Sequence, residues 1–249
     1  MRLRCAASAA LACVASRIAP AAGAPAAPPP VVLVRASVAD RARSVMPPAL
    51  WLALVGTYAG TASTPLADDA TADAAGCLEA GGDYLVIATF DVRSDLPGLA
   101  NASDRVAGRS HLRVLACNDG RFLADRTLRL DGEPLAPAEA GTPEALASAW
   151  RAAVAAAFAN AGVAVGRITR GHRLDSGGNA FHIDFLIGGV KPGAVVSDVA
   201  RPNRTPRHDP ISLGVVTASG ASADALAAPA PDGRPAPGVG DVIEFAPSP

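Results

Sequence analysis

Between Thr142 and Gly162 an apolar residue returns at every fourth position: Leu146, Trp150, Val154 and Phe158. That spacing places all four on one stripe of an α-helix, and Ala149, Ala153, Ala157 and Ala161 widen the stripe. Thr142 is a good N-cap, Pro143 suits the first helical position, and Gly162 is a natural stop. Burying four such side chains is worth on the order of 6–12 kcal/mol before entropy. A helix with this face has to lie across something apolar, and the strands that precede it are the obvious candidates.

Those strands are legible. Residues 83–92 (DYLVIATFDV) form a nearly continuous apolar run, which predicts a strand buried on both faces. Residues 111–117 (HLRVLAC) predict a second strand. It leads through Asn118-Asp119-Gly120 into residues 122–130 (FLADRTLRL), the pattern of a β-hairpin. Val31-Val32-Leu33-Val34 predicts an opening strand. Residues 39–45 can start a helix that Pro47 and Pro48 stop, and 51–58 is an apolar element. Asp68 and Asp69 suit the start of a helix over 68–80 that Gly81-Gly82 ends, and 94–109, with Pro97 and Gly98, reads as loop.

After Gly162 helical signals stop. Five β-rich runs, 163–169, 181–187, 195–199, 211–217 and 239–245, alternate with Gly- and Pro-rich turns. The expected fold class is therefore α+β: a small α/β sandwich with helices on a mixed sheet over 31–162, then a small β-barrel or β-sandwich module over 163–249.

The N-terminus reads as an export signal over 1–24. Arg2 and Arg4 precede an uncharged, mainly apolar stretch, and Ala19-Pro20-Ala21 and Ala22-Gly23-Ala24 offer small-residue cleavage sites. The alternative is an ordinary Ala-rich helix. A Pro/Ala linker over 25–30 follows. Of the four cysteines, Cys5 and Cys13 would leave with the leader. Cys77 and Cys117 remain, the even number an oxidising compartment favours; a bridge is expected over two separately buried thiols. Residues 44–67 carry no charge, but Pro47, Pro48, Gly56, Gly60 and Pro65 interrupt them, so no transmembrane span is expected after leader removal. The expected location is periplasmic or extracellular, with outer-membrane association left open.

With a formal net charge of -1, no global field favours nucleic acid or an anionic membrane. Only 4% of residues are aromatic, and none interleaves with the basic cluster Arg201, Arg204 and Arg207, so nucleic acid is not an expected partner. That cluster, with His208, is a candidate partner-contact loop, as is 94–109; the default for both is solvated loop. No HExxH, nucleophile elbow, P-loop or dinucleotide fingerprint occurs. His182 and Asp184 share a strand face and could ligate a metal, but an ordinary polar face explains them. No catalytic residue, metal or cofactor is expected.

One resemblance is carried by the order of motifs. Gly82-Asp83-Tyr84-Leu85-Val86-Ile87-Ala88-Thr89, then 112–117, then Asp119-Gly120-Arg121-Phe122-Leu123 and an amphipathic helix is similar to a small α/β domain. That domain is shared by the N-terminal domain of the periplasmic Tol-system propeller protein, the curli-secretion channel subunit and the flagellar T-ring assembly protein. Thr89 stands where those families place a second glycine, and Asn118-Asp119-Gly120 stands for their Thr-Gly turn. In the tail, Gly189-Val190-Lys191-Pro192-Gly193, Ile211-Ser212-Leu213-Gly214-Val215-Val216 and Gly238-Val239-Gly240-Asp241-Val242-Ile243 resemble the C-terminal β-module of the T-ring family. The likeness spans 68–245 and not 31–67. It implies an envelope protein with a structural, assembly or interaction role, whose partner is another envelope protein. Two other readings stay open: a secreted hydrolase built around His172, Asp175 or Ser176, and a small-molecule binding module. The sequence does not indicate an oligomeric state.

Overall fold

The computed structural model describes residues 28–39, 46–60, 62–92, 105–134, 142–175, 178–190, 195–200, 208–219, 221–227 and 237–245. The expected signal peptide, linker residues 25–27 and the helical start expected within 40–45 lie outside them.

The first half runs β1 (Val32–Val38), α1 (Pro48–Tyr58), β2 (Thr64–Pro65), α2 (Ala74–Glu79), β3 (Tyr84–Val92), β4 (Arg105–Ala116), β5 (Arg121–Pro134) and α3 (Pro143–Ala159). The strands make a mixed sheet in the order β2-β1-β3-β4-β5. β1 is parallel to β2 and β3, while β3, β4 and β5 form an antiparallel meander. Gly120, at φ 70, closes the tight β4–β5 turn, as the Asn118-Asp119-Gly120 signal predicts.

Helices cover both faces. α1 lies on β1 and α3 on β5 and β4, so the two fill one side. Trp51 of α1 meets Phe90 of β3 with ring centroids 4.5 Å apart and Trp150 of α3 at 5.5 Å. The predicted stripe is buried: Trp150, Val154 and Phe158 are each at most 2% exposed. Thr142 caps α3, its side chain accepting from the Ala145 amide. On the other face α2 packs over Leu33, Leu85, Ile87 and Leu115. Cys77 of α2 and Cys117 after β4 are joined in a disulfide, with Cα atoms 5.8 Å apart. β3 is therefore buried on both sides from Tyr84 to Ala88, and only Thr89 and Asp91 reach solvent.

The second half runs β6 (Ala164–Arg173), β7 (Asn179–Gly188), β8 (Val195–Ala200), β9 (His208–Ser219), β10 (Ser222–Ala227) and β11 (Val242–Phe245). Each strand pairs antiparallel with two neighbours, closing a barrel in the order β10-β7-β6-β11-β8-β9. Its interior holds Ile168, Phe181, Ile183, Ile243 and Phe245 with Ala164, Ala223 and Ala225. Small and large residues alternate there because a barrel this narrow has no room for bulk at every inward position.

Some expectations change. Pro48 begins a helix instead of stopping one, because the first helical turn needs no amide donor there. The helix expected over 68–80 shrinks to α2; Asp73, not Asp68, caps it by accepting from the Gly76 amide, which also holds the Asp73 carboxyl below its usual range. Residues 105–109, expected as loop, belong to β4. β10, unforeseen, is a sixth barrel strand. No helix among the described residues is long and apolar enough to cross a membrane.

Candidate interaction site

The sheet layer and the barrel meet along one buried seam. Val163, Val165, Ile187 and Val242 belong to the same apolar cluster as Trp51, Phe90 and Trp150. Two glycines allow the backbones to touch. Gly60, at φ +78 after α1, would place a Cβ 2.7 Å from the Leu186 carbonyl oxygen of β7. Gly188, at φ +64 and ending β7, would bring one within 3.1 Å of the Tyr58 hydroxyl. Both glycines adopt the left-handed conformation that only glycine takes cheaply, at points where any side chain would collide.

A polar lock closes the far end of this seam. Glu244 of β11 is 3% exposed, yet both its oxygens are engaged across the junction. Oε1 accepts from the Tyr84 hydroxyl at 2.8 Å, and Oε2 accepts from the Arg121 guanidinium. Burial, and then the charge of Glu244, pushes the Tyr84 phenol well above its ordinary value. It therefore stays protonated and donates at any working pH. The carboxylate in Val242-Ile243-Glu244-Phe245 interrupts an apolar run, and that interruption was the sequence signal for a buried polar contact.

At the near end of the seam Tyr58 divides two depressions. Its hydroxyl donates to the Val163 carbonyl at 3.0 Å, and its ring packs edge-on against Phe158 at 4.9 Å. Burial raises its pKa far above the ordinary range. On one side lies an open groove of about 420 Å³, lined by Leu54, Val154, Phe158 and Val190, with Gly188 and Gly189 along one wall. On the other side a broader depression of about 610 Å³ is lined by Gly56, Ser63, Phe185 and Leu186 among others. The groove's apolar lining comes from the C-terminal halves of α1 and α3 and from the residues at and after the end of β7. Leu54, Val154 and Phe158 are buried beneath it, and the open lining comes from exposed Thr57, Ala155 and Ala159 with half-buried Gly188, Gly189 and Val190.

None of the described candidate site residues singled out from sequence lines this groove. Arg201, Arg204 and Arg207 lie outside the described residues, as do 94–104 of the other expected contact loop. His208, expected in a loop, opens β9 opposite Ala200, because the barrel needs a strand partner there. His182 and Asp184 do share a face of β7, but the His182 ring is engaged on both sides: Nδ1 with Asp224 of β10 at 2.7 Å and Nε2 with Asp184 at 3.3 Å. Thr217 also donates to Asp224, at 3.0 Å. The bond to His182, and then that from Thr217, holds the Asp224 carboxyl below its usual range. Among the described residues no group of three His, Cys, Asp or Glu side chains could hold a metal ion. His172 is exposed near the end of β6 and Asp175 follows it on the surface, while Ser176 lies outside the described residues.

No protein-family model matches the chain, and no curated protein matches it. Similar solved structures include the PelC dodecamer from Paraburkholderia phytofirmans, at 9% identity and a TM-score of 0.35, covering 52% of this chain and 85% of that one. A DUF330-family protein from Xanthomonas campestris is 16% identical with a TM-score of 0.31, covering 50% of this chain and 76% of that one. TolB from Acinetobacter baumannii is 12% identical with a TM-score of 0.27, covering 66% of this chain and 37% of that one. At these scores the likenesses assign no function. The T-ring resemblance of the tail rests on its sequence motifs alone.

Proposed function

We propose that the protein is an exported, non-catalytic interaction protein of the bacterial envelope, and that it grips an apolar segment of another envelope protein in the groove beside Tyr58. The groove itself carries this reading: about 420 Å³ of apolar, solvent-open space at the junction of two helices and a barrel strand. That volume suits one or two large side chains of a partner, the anchor-in-pocket arrangement that concentrates binding energy at protein interfaces. The tyrosine at its centre already spends its hydroxyl on Val163, so the lining favours apolar contact over directed polar chemistry. The export-signal pattern and the Cys77–Cys117 bridge support an oxidising location outside the cytoplasm. The order of motifs shared with the Tol, curli and flagellar families supports an assembly or structural role.

A photo-crosslinking amino acid at Thr57, exposed on the groove wall, tests this in cells. It should trap a discrete protein adduct, absent when the same group replaces exposed Asp69 outside the groove. Ala155→Arg, at an exposed position lining the groove, should cut the yield about tenfold without unfolding the chain. Equal labelling at Thr57 and Asp69, or an adduct indifferent to Ala155→Arg, would contradict the proposal.

A further inference from the structure

The outer edge of the sheet points to a second, independent contact. β5 is the last strand of its sheet and is 14 residues long. Among the described residues no strand pairs with its outer edge. A long open edge of unpaired backbone groups is a template for another strand, and chains usually block it with badly placed charges, prolines or bulges. The β4–β5 register shifts near both ends of β5, between Phe122 and Ala124 and again between Asp131 and Pro134. Between them the edge is regular.

The charges on this stretch do not block it; they select a register. Asp125, Thr127, Arg129 and Asp131 all lie exposed on the face away from α1 and α3. When two copies of an antiparallel strand pair about a two-fold axis, residue i faces a fixed partner j, and i + j is constant. Centred on Thr127, Asp125 of each copy faces Arg129 of the other, which gives two opposite-charge pairs. On the helix-covered face Arg126 then meets Leu128, and Ala124 meets Leu130. Shifted to Leu128, Asp125 faces Asp131. Centred on Asp125 or Arg129, like charges meet on the axis. Centred on Arg126, two guanidinium-bearing residues do the same. Centred on Leu130, Arg129 meets Asp131, but the overlap runs out at Pro134. The register about Thr127 uses the regular stretch from Ala124 to Leu130, places no like charges together and covers Leu128, which is only partly buried in one copy.

We infer that β5 pairs antiparallel with β5 of a second copy of this chain, centred on Thr127, joining two five-stranded sheets into one. Within one copy Asp125 already contacts His111, and Arg129 contacts Asp131 at 2.7 Å. Both contacts are on the solvent face, where such pairs are weak and exchange freely. The two-fold contact uses the edge of β5 and none of the residues that line the Tyr58 groove, so it does not depend on what the groove holds.

Charge reversal tests the register. By sedimentation equilibrium the full chain should form a concentration-dependent dimer. Asp125→Arg and Arg129→Asp, each alone, set like charges opposite one another and should each weaken the dimer about tenfold or more. Mixed in equal amounts, the two variants should recover it, because every facing pair is again of opposite sign. Unchanged thermal melting of each variant, followed by the buried tryptophans, separates this loss from misfolding. A full chain that stays monomeric at millimolar concentration overturns the inference, and so does dimerisation indifferent to both reversals. Single losses with no rescue on mixing would overturn this register.

Discussion

Replacing Trp150 by alanine is expected to cost about 3–5 kcal/mol of folding stability, the usual loss for a large aromatic removed from a closed core. In a chain of this size that lowers the melting temperature by roughly 10 °C or more. The expectation rests on position. Trp150 is 0% exposed, meets Trp51 edge-on at 5.5 Å and stands at the middle of the stripe by which α3 covers the sheet. Its indole nitrogen is buried with no hydrogen-bond partner among the described residues, so the expected loss is one of packing. Trp150→Phe should therefore cost far less than Trp150→Ala: it keeps an aromatic ring on the core face and removes a buried donor that has no partner among the described residues. Urea unfolding followed by far-UV circular dichroism measures both. Equal losses in the two variants would mean that the indole nitrogen has a partner that matters.

Removing the Cys77–Cys117 bridge should cost about 3–4 kcal/mol, from the entropy of a loop with a sequence separation of 40. The local effect should exceed what that number suggests. α2 has only 6 residues, far too few to stay helical alone. It is held by the bridge, by the Asp73 cap and by packing on Leu85 and Ile87. The Cys77→Ala/Cys117→Ala double variant should thus lose protection first in α2 and the start of β1, while α3 and β5 keep theirs. Reduction of the unaltered chain should give the same pattern. Amide hydrogen exchange reads both. Uniform loss across the molecule would show that the bridge constrains the unfolded chain alone and does not hold α2 in place.

What the sequence revealed and what it hid follow from the same physics. α3 was legible because its cap, its four-residue period and its terminal glycine all agree, and local agreement at every level is what fixes an element. β3 and the β4–β5 hairpin were legible for a similar reason, through a long apolar run and a strong turn signal. α1 was harder to read. Two adjacent prolines look like a helix end, and only the chain that follows shows they begin one. β10 was hidden because Ser-Ala-Asp-Ala-Leu-Ala contains good helix formers. It becomes a strand because a narrow barrel needs small inward residues at Ala223, Ala225 and Ala227, a demand made by neighbours distant in sequence. The start of β4 was hidden behind Pro97 and Gly98, which lie upstream of it.

The site was less visible than the fold. Its parts come from α1, α3, β7 and the end of β11, and no window of sequence holds two of them. Tyr58 reads as one more core residue until Gly60 and Gly188 bring the barrel against it. Glu244 carried a signal, a lone carboxylate among four strand residues buried without exception. Its partners, Tyr84 and Arg121, stand 160 and 123 residues away, beyond any local pattern. The basic cluster at Arg201, Arg204 and Arg207, which drew attention from sequence, does so by charge alone. Charge on a Pro-rich segment is visible in one dimension, whereas an apolar groove exists only in three.

The account depends on the barrel and the sheet layer being one body, since the groove beside Tyr58 has walls from both. Native-state hydrogen exchange on the unaltered chain tests this most directly. Amides of β3 and α3 and those of β6 and β11 should open with one common free energy, because Val163, Val242 and the Glu244 contacts tie them into a single core. A barrel whose amides exchange through a separate opening of lower energy, while β3 and α3 stay protected, would contradict it and leave the groove without a fixed wall.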